Sequence, residues 1–170
     1  MRPAPFWRKL CTAAVAACLL AANATPAATT GDVAPAFVLP AAGGGTVALG
    51  ALRGQVVYVD FWASWCGPCR RSFPWMNEMH QRYGGRGLAI VAINVDAKRE
   101  DAERFLRHYP AAFAVAYDGT GATPAAYAVK AMPSSYLIDA RGRIAGVEAG
   151  YLDERRAEME TRIRALVEGR

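Results

Sequence analysis

The chain switches between runs that are apolar at nearly every position and segments that are apolar along one helical stripe. Residues 55–62 hold Val56, Val57, Tyr58, Val59, Phe61 and Trp62 in near-unbroken succession, the pattern of a strand buried on both faces of a parallel sheet. Residues 87–95 repeat that pattern and residues 113–117 give a shorter version. Helical spacing occupies 68–83, 99–109 and 121–129, with Pro74 predicting a kink in the first. Residues 36–39 and 46–49 flank Gly43-Gly44-Gly45 and read as a hairpin of short edge strands; residues 135–139 and 143–150, joined by Ala140-Arg141-Gly142, read as a second hairpin. A helix over 153–168 closes the chain, with Leu152, Met159, Ile163, Leu166 and Val167 apolar. The order predicts an α/β fold: a central mixed β-sheet flanked by helices, with an N-terminal β-hairpin extension.

The N-terminus follows a different rule. Arg2, Arg8 and Lys9 precede an uncharged stretch at 10–22, and Ala22-Asn23-Ala24 supplies the small-x-small pattern of a signal-peptidase site. Residues 1–24 are therefore expected to be a signal peptide, 25–32 a flexible leader, and 33–170 one domain in an exported, periplasmic protein. The uncharged stretch is shorter than the roughly 20 residues a membrane-spanning helix needs. Val15-Ala16-Ala17-Cys18 offers a second reading, lipoprotein processing that leaves an acylated Cys18 on the membrane. The apolar run continues past Cys18 to the Ala-x-Ala site, which favours simple cleavage.

Charge and cysteine count change meaning once that segment is set aside. The formal net charge of +5 includes Arg2, Arg8 and Lys9, so the remainder carries only about +2, and no aromatic-interleaved basic run points to nucleic acid. Of four cysteines, only Cys66 and Cys69 lie beyond residue 24. A structural disulfide gains stability from the loop it closes, and this pair closes almost none, so its use is exchange. Half a zinc site would need a second ligand pair, which His80 and His108 do not supply by spacing, and Arg70 rather than histidine follows Cys69, which excludes haem attachment. Both histidines and the helical arginines read as solvated faces, and Met76 and Met79 as core. Asp60 is a carboxylate inside an apolar strand; it must find a partner or stay protonated, unless it is a partly solvated strand-end residue.

The segment Val59-Asp60-Phe61-Trp62-Ala63-Ser64-Trp65-Cys66-Gly67-Pro68-Cys69 resembles the active-site segment of thioredoxins. Ala34-Pro35-Ala36-Phe37-Val38-Leu39, Asn94-Val95-Asp96 and Met132-Pro133-Ser134-Ser135-Tyr136-Leu137-Ile138-Asp139 narrow the resemblance to the TlpA/ResA-like thiol:disulfide oxidoreductases, from about Gly31 onward. The resemblance implies a thioredoxin-like fold and a redox-active Cys66–Cys69 pair that needs no cofactor or metal. Cys66, expected as the first helical residue, is the nucleophile, because helix-terminal amides stabilise a thiolate; Cys69, one turn on, is the resolving thiol. The resemblance makes Asp60 the proton acceptor for Cys69. It also makes the Met132–Pro133 bond cis, whereas the sequence alone favours trans. Trp65, Gly67, Pro68, Met132 and Pro133 form the expected substrate rim, with the Met132 backbone free to pair with an extended peptide, while Trp62 and Tyr136 pack around the site.

Gly67-Pro68 is the thioredoxin pair, whose potential of about −270 mV is reducing. The expected function is reduction of disulfides in periplasmic client proteins with cysteine pairs, for example in cytochrome c maturation, recharged by a membrane electron donor of the DsbD or CcdA type. One departure stands out: many such proteins carry a glutamate three residues after the second cysteine, and this chain has Ser72. Asp60 is then the only expected acid/base near Cys69. Three alternatives remain: a net disulfide oxidase or isomerase, a peroxiredoxin-like antioxidant, whose Pro-x-x-x-Thr-x-x-Cys loop is missing, and a non-catalytic binding module.

Overall fold

The computed structural model describes residues 28–151 and 153–169, so the expected signal peptide, Cys18 and Leu152 lie outside the described residues. The elements in chain order are β1 (Val38–Pro40), β2 (Thr46–Ala48), β3 (Val56–Trp62), α1 (Cys69–Tyr83), β4 (Leu88–Asn94), α2 (Arg99–His108), β5 (Ala114–Tyr117), α3 (Ala122–Ala126), β6 (Ser134–Ile138), β7 (Ile144–Ala149) and α4 (Arg156–Glu168). β1 and β2 form their own antiparallel pair; the other five strands make one sheet in the order β5-β4-β3-β6-β7. β4 runs parallel to β3 and β5, while β6 is antiparallel to β3 and β7, which makes the sheet mixed, as in thioredoxin-like folds.

The central place of β3 explains its composition, since every residue of it is buried. Its side chains alternate. Val56, Tyr58 and Trp62 meet the helical layer that includes Phe73, Met76, Met79, Ile163 and Val167. Val57, Val59 and Phe61 meet Phe37, Leu49, Tyr127 and Tyr136 on the opposite face. Asp60 shares the period of Tyr58 and Trp62 and so faces α1. Met76 and Met79 are fully buried, each worth about 2 kcal/mol of hydrophobic stabilisation.

α1 continues through Pro74 as one element, without the amide that would have reached the Arg70 carbonyl. α3 is shorter than its sequence pattern, and a left-handed Ala128 lies just beyond it. Within residues 28–32, Thr29 N and Oγ1 donate to Asp32 Oδ2, and Gly31 N donates to Ile144 O. The open edge of β7 offers that carbonyl. No helix among the described residues is long and apolar enough to cross a membrane.

Candidate active site

β3 ends at Trp62, and the loop that follows is pinned to the end of β4. Val95 N donates to Trp62 O at 3.0 Å. The buried Asp96 carboxylate accepts from Ser64 N at 2.9 Å, Ser64 Oγ at 3.1 Å and Asn94 Nδ2 at 2.8 Å. These bonds hold residues 63–68 over the C-terminal ends of two parallel strands, where open α/β sheets gather their ligands. Trp65 is 69% exposed, and Gly67 and Pro68 are exposed beside it.

Cys66 and Cys69 form a disulfide with an S–S distance of 2.09 Å and a Cα–Cα separation of 5.4 Å. Cys66 keeps 3% of its surface and Cys69 none, so the exposed rim is made by the residues around the sulfurs. One expectation needs correction. Cys69, not Cys66, is the first residue of α1, because Gly67 and Pro68 make a separate turn whose carbonyls accept from Arg70 N and Arg71 N. Cys66 sits just outside the helix, and its Sγ accepts from Cys69 N at 3.3 Å. The electrostatic consequence survives, since a helix-terminal amide points at this sulfur and favours its thiolate.

Asp60 lies beneath α1 with 1% exposure. Its Oδ1 accepts from Ser135 Oγ at 3.1 Å, and its Oδ2 has no partner. Burial pushes its pKa up to about 7, against the opposing pull of the Ser135 hydrogen bond. At the position of the missing glutamate, Ser72 is buried and its Oγ donates to Cys69 O at 3.1 Å.

Asp60 is the register partner of Ser135, and Ser135 is the register partner of Glu148. Burial weakens the acidity of Glu148, with Arg155 and Arg162 opposing. Its only sequence signal was a lone acid in the 143–150 strand.

The Met132–Pro133 bond is cis, as the resemblance implied and composition did not. β6 begins at Ser134 opposite Phe61, which sets Pro133 beside Trp62 and the cysteine loop. Pro133 O accepts from Gly150 N at 2.7 Å, whereas Met132 makes no hydrogen bond among the described residues. Trp62 is fully buried against Phe73 and Phe105, with ring centroids at 4.8 and 4.7 Å. On the far face Tyr136 OH donates to Tyr127 O at 2.6 Å.

A family model described as Redoxin matches residues 29–163. The thiol-disulfide oxidoreductase ResA of Bacillus subtilis (strain 168) is 33% identical over 124 residues, spanning 73% of this chain and 69% of that protein. ResA of Geobacillus thermodenitrificans is 34% identical over 122 residues, spanning 72% and 70%. A solved structure assigned as a thiol:disulfide interchange protein DsbE from Chlorobium tepidum superposes with a TM-score of 0.79 at 48% identity, covering 81% of this chain and 97% of that one.

Proposed function

The chain belongs to the Redoxin family and is a thiol-disulfide oxidoreductase of the ResA/DsbE type with a Cys66–Cys69 pair, and from that premise we propose that it is an exported reductase of client disulfides. The proposal covers a periplasmic location, clients that present cysteine pairs in extended segments, apocytochrome c among them, and recharging by a membrane electron donor of the DsbD or CcdA type. The observation that carries it is the sealed Cys69 set behind a Cys66 that receives a helix-terminal amide, with Asp60 buried on the same face.

In the reduced protein the Cys66 thiolate attacks one sulfur of a client disulfide, and the other client sulfur leaves with the electron pair. Cys69 then gives its proton to Asp60 and attacks Cys66 Sγ; the Cys66–Cys69 bond forms and the first client sulfur departs. Two electrons pass from the protein dithiol to the client. The unpaired Met132 backbone lies beside this exchange and supplies an amide and a carbonyl for an extended client segment.

Insulin reduction tests the reaction: the wild type turns over, and Cys66→Ala and Cys69→Ala do not. Direction is tested by the equilibrium potential of the Cys66–Cys69 couple against glutathione or dithiothreitol. A value more negative than about −200 mV supports a reductase, and one near the −120 mV of a strong oxidant overturns it. Clients are captured in the periplasm as mixed disulfides with Cys66 in the Cys69→Ala variant.

A further inference from the structure

Asp60 is the inner member of a row of three. Ser135 is its directly opposed neighbour on β6, and Glu148 is the neighbour of Ser135 on β7. Residues in register share a face of the sheet, so the hydroxyl and both carboxylates rise on the side of α1 and α4. Strands about 4.8 Å apart put the two acid backbones roughly 10 Å from one another, and the longer glutamate side chain narrows the gap. Tyr58, Trp75, Ser135, Glu148, Tyr151 and Arg156 enclose one narrow crevice here. Tyr151 OH and Arg156 Nε are buried at it without a hydrogen-bond partner, as is Asp60 Oδ2 on the other side of Ser135. Little water enters so narrow a space to screen charge along the row.

We propose that Glu148 is a positioning residue of the redox reaction, whose charge acts across Ser135 to set how readily Asp60 takes the proton of Cys69. The proposal rests on the reading of Asp60 as the proton acceptor. In the step concerned, the Cys69 proton passes to the Asp60 carboxylate, the Cys69 sulfur bonds to Cys66 Sγ, and the bond from Cys66 to the client breaks with its electron pair on the client sulfur. A negative Glu148 disfavours a second negative charge at Asp60.

The groups around Glu148 fix the sign. Arg155 Nη1 lies 3.9 Å from Glu148 Oε1, and Arg155 is about half exposed. Arg162 and Glu158 reach toward it from α4. Tyr58 on β3 feels both Asp60 and Glu148. Tyr151 and Arg156 close the outer end, with Asp153 paired to Arg156 at 3.2 Å and to Arg71 at 3.7 Å. Removing the Glu148 charge takes away a repulsion and leaves Arg155 uncompensated. Both changes favour ionised Asp60.

The test uses the reduced full-length protein mixed rapidly with 5,5′-dithiobis(2-nitrobenzoate). Attack by Cys66 releases the first thionitrobenzoate, and resolution by Cys69 releases the second. The second phase is followed from about pH 5 to about pH 9, where its rate rises as the acceptor ionises. Glu148→Gln is expected to move that inflection down by about half a pH unit or more, with resolution about threefold faster on its acid side. Glu148→Asp stays near the wild type. Ser135→Ala, which removes the donor to Asp60 Oδ1, moves the inflection up, and the first phase is unchanged in all three. Opposite shifts from two neighbours of Asp60 cannot come from general loosening. Should Glu148→Gln fail to fold, Arg155→Gln removes the compensating cation and must move the inflection up. An unmoved inflection in Glu148→Gln, or a shift in the same direction as Ser135→Ala, overturns the proposal. A wild type with no second phase overturns instead the reading of Cys69 as the resolving thiol.

Discussion

Two buried aspartates show what the fold does with a carboxylate. Asp60, mid-strand in β3, is 1% exposed, and Asp118, in the turn after β5, is 3% exposed. Asp118 Oδ1 accepts from Thr120 N, Thr120 Oγ1 and Gly121 N, and its Oδ2 accepts from Thr123 N at 2.6 Å. Burial pushes its pKa up, but the bonds from Thr120 and Thr123 together outweigh burial and hold it below the usual carboxylate range. Asp60 has one donor, and burial wins. Similar exposure therefore gives opposite acids: Asp60 lies deep in the sheet with a single donor, whereas Asp118 sits in a shallower turn ringed by donors. Asp118 organises a turn, whereas Asp60, beneath α1, is held where it can change its protonation near neutral pH.

The comparison breaks most visibly at Asp60 itself. Its folded pKa of about 7 stands above an unfolded value of about 3.9, so the fold loses stability as pH rises from the lower value through the higher one. Asp60→Asn escapes that loss. It should gain up to about 4 kcal/mol near pH 8 and almost nothing near pH 4 in urea unfolding, while resolution by Cys69 slows about a hundredfold. Equal stability at both pH values would make Asp60 an ordinary strand residue.

Asp118→Ala should do the reverse, costing about 3 kcal/mol at pH 7 because several amides lose their acceptor. Its lowered folded pKa means that this contribution is present above the unfolded pKa and fades as pH falls through the folded one, so wild type and variant converge in acid. Insulin turnover should stay within about twofold, since Asp118 does not touch the sulfurs. A third, smaller difference sharpens the boundary of the sealed region. Alkylation of the reduced protein near pH 7 should modify Cys66 about tenfold faster than Cys69, and equal labelling would show that the compartment holding Asp60 is open. The smallest effect belongs to the rim: Trp65→Ala should leave unfolding free energy within about 0.5 kcal/mol of wild type, because the indole is largely exposed.

How much of this the sequence carries depends on whether a local pattern or a pairing decides the matter. β3 is legible because burial on both faces writes itself as an unbroken apolar run, and Asp60 is conspicuous as the break in it. The cysteine pair is legible by spacing. The start of α1 is not, since Gly67-Pro68 turns the chain once before the helix begins. Glu148 is hidden for a different reason. Ile138 pairs with Ile144, but Leu137 pairs with Gly146, so one extra residue enters β7. In an uninterrupted ladder Val147 would oppose Ser135, and Glu148 would turn to the other face. Alternation within the strand carries no trace of that shift.

The first described stretch, residues 28–42, also bears on how the molecule keeps to itself. Ala34 N donates to Gly142 O and Ile144 N donates to Asp32 O, at the start of β7, while Ala42 N donates to Val115 O on β5. β7 and β5 are the two outer strands of the sheet, and Phe37 is buried on the way between them. One short passage of backbone thus occupies hydrogen-bonding groups on both margins that would otherwise template a foreign strand. Without it the sheet would present two adhesive borders on opposite sides, the geometry for open-ended stacking of copies rather than a closed pair.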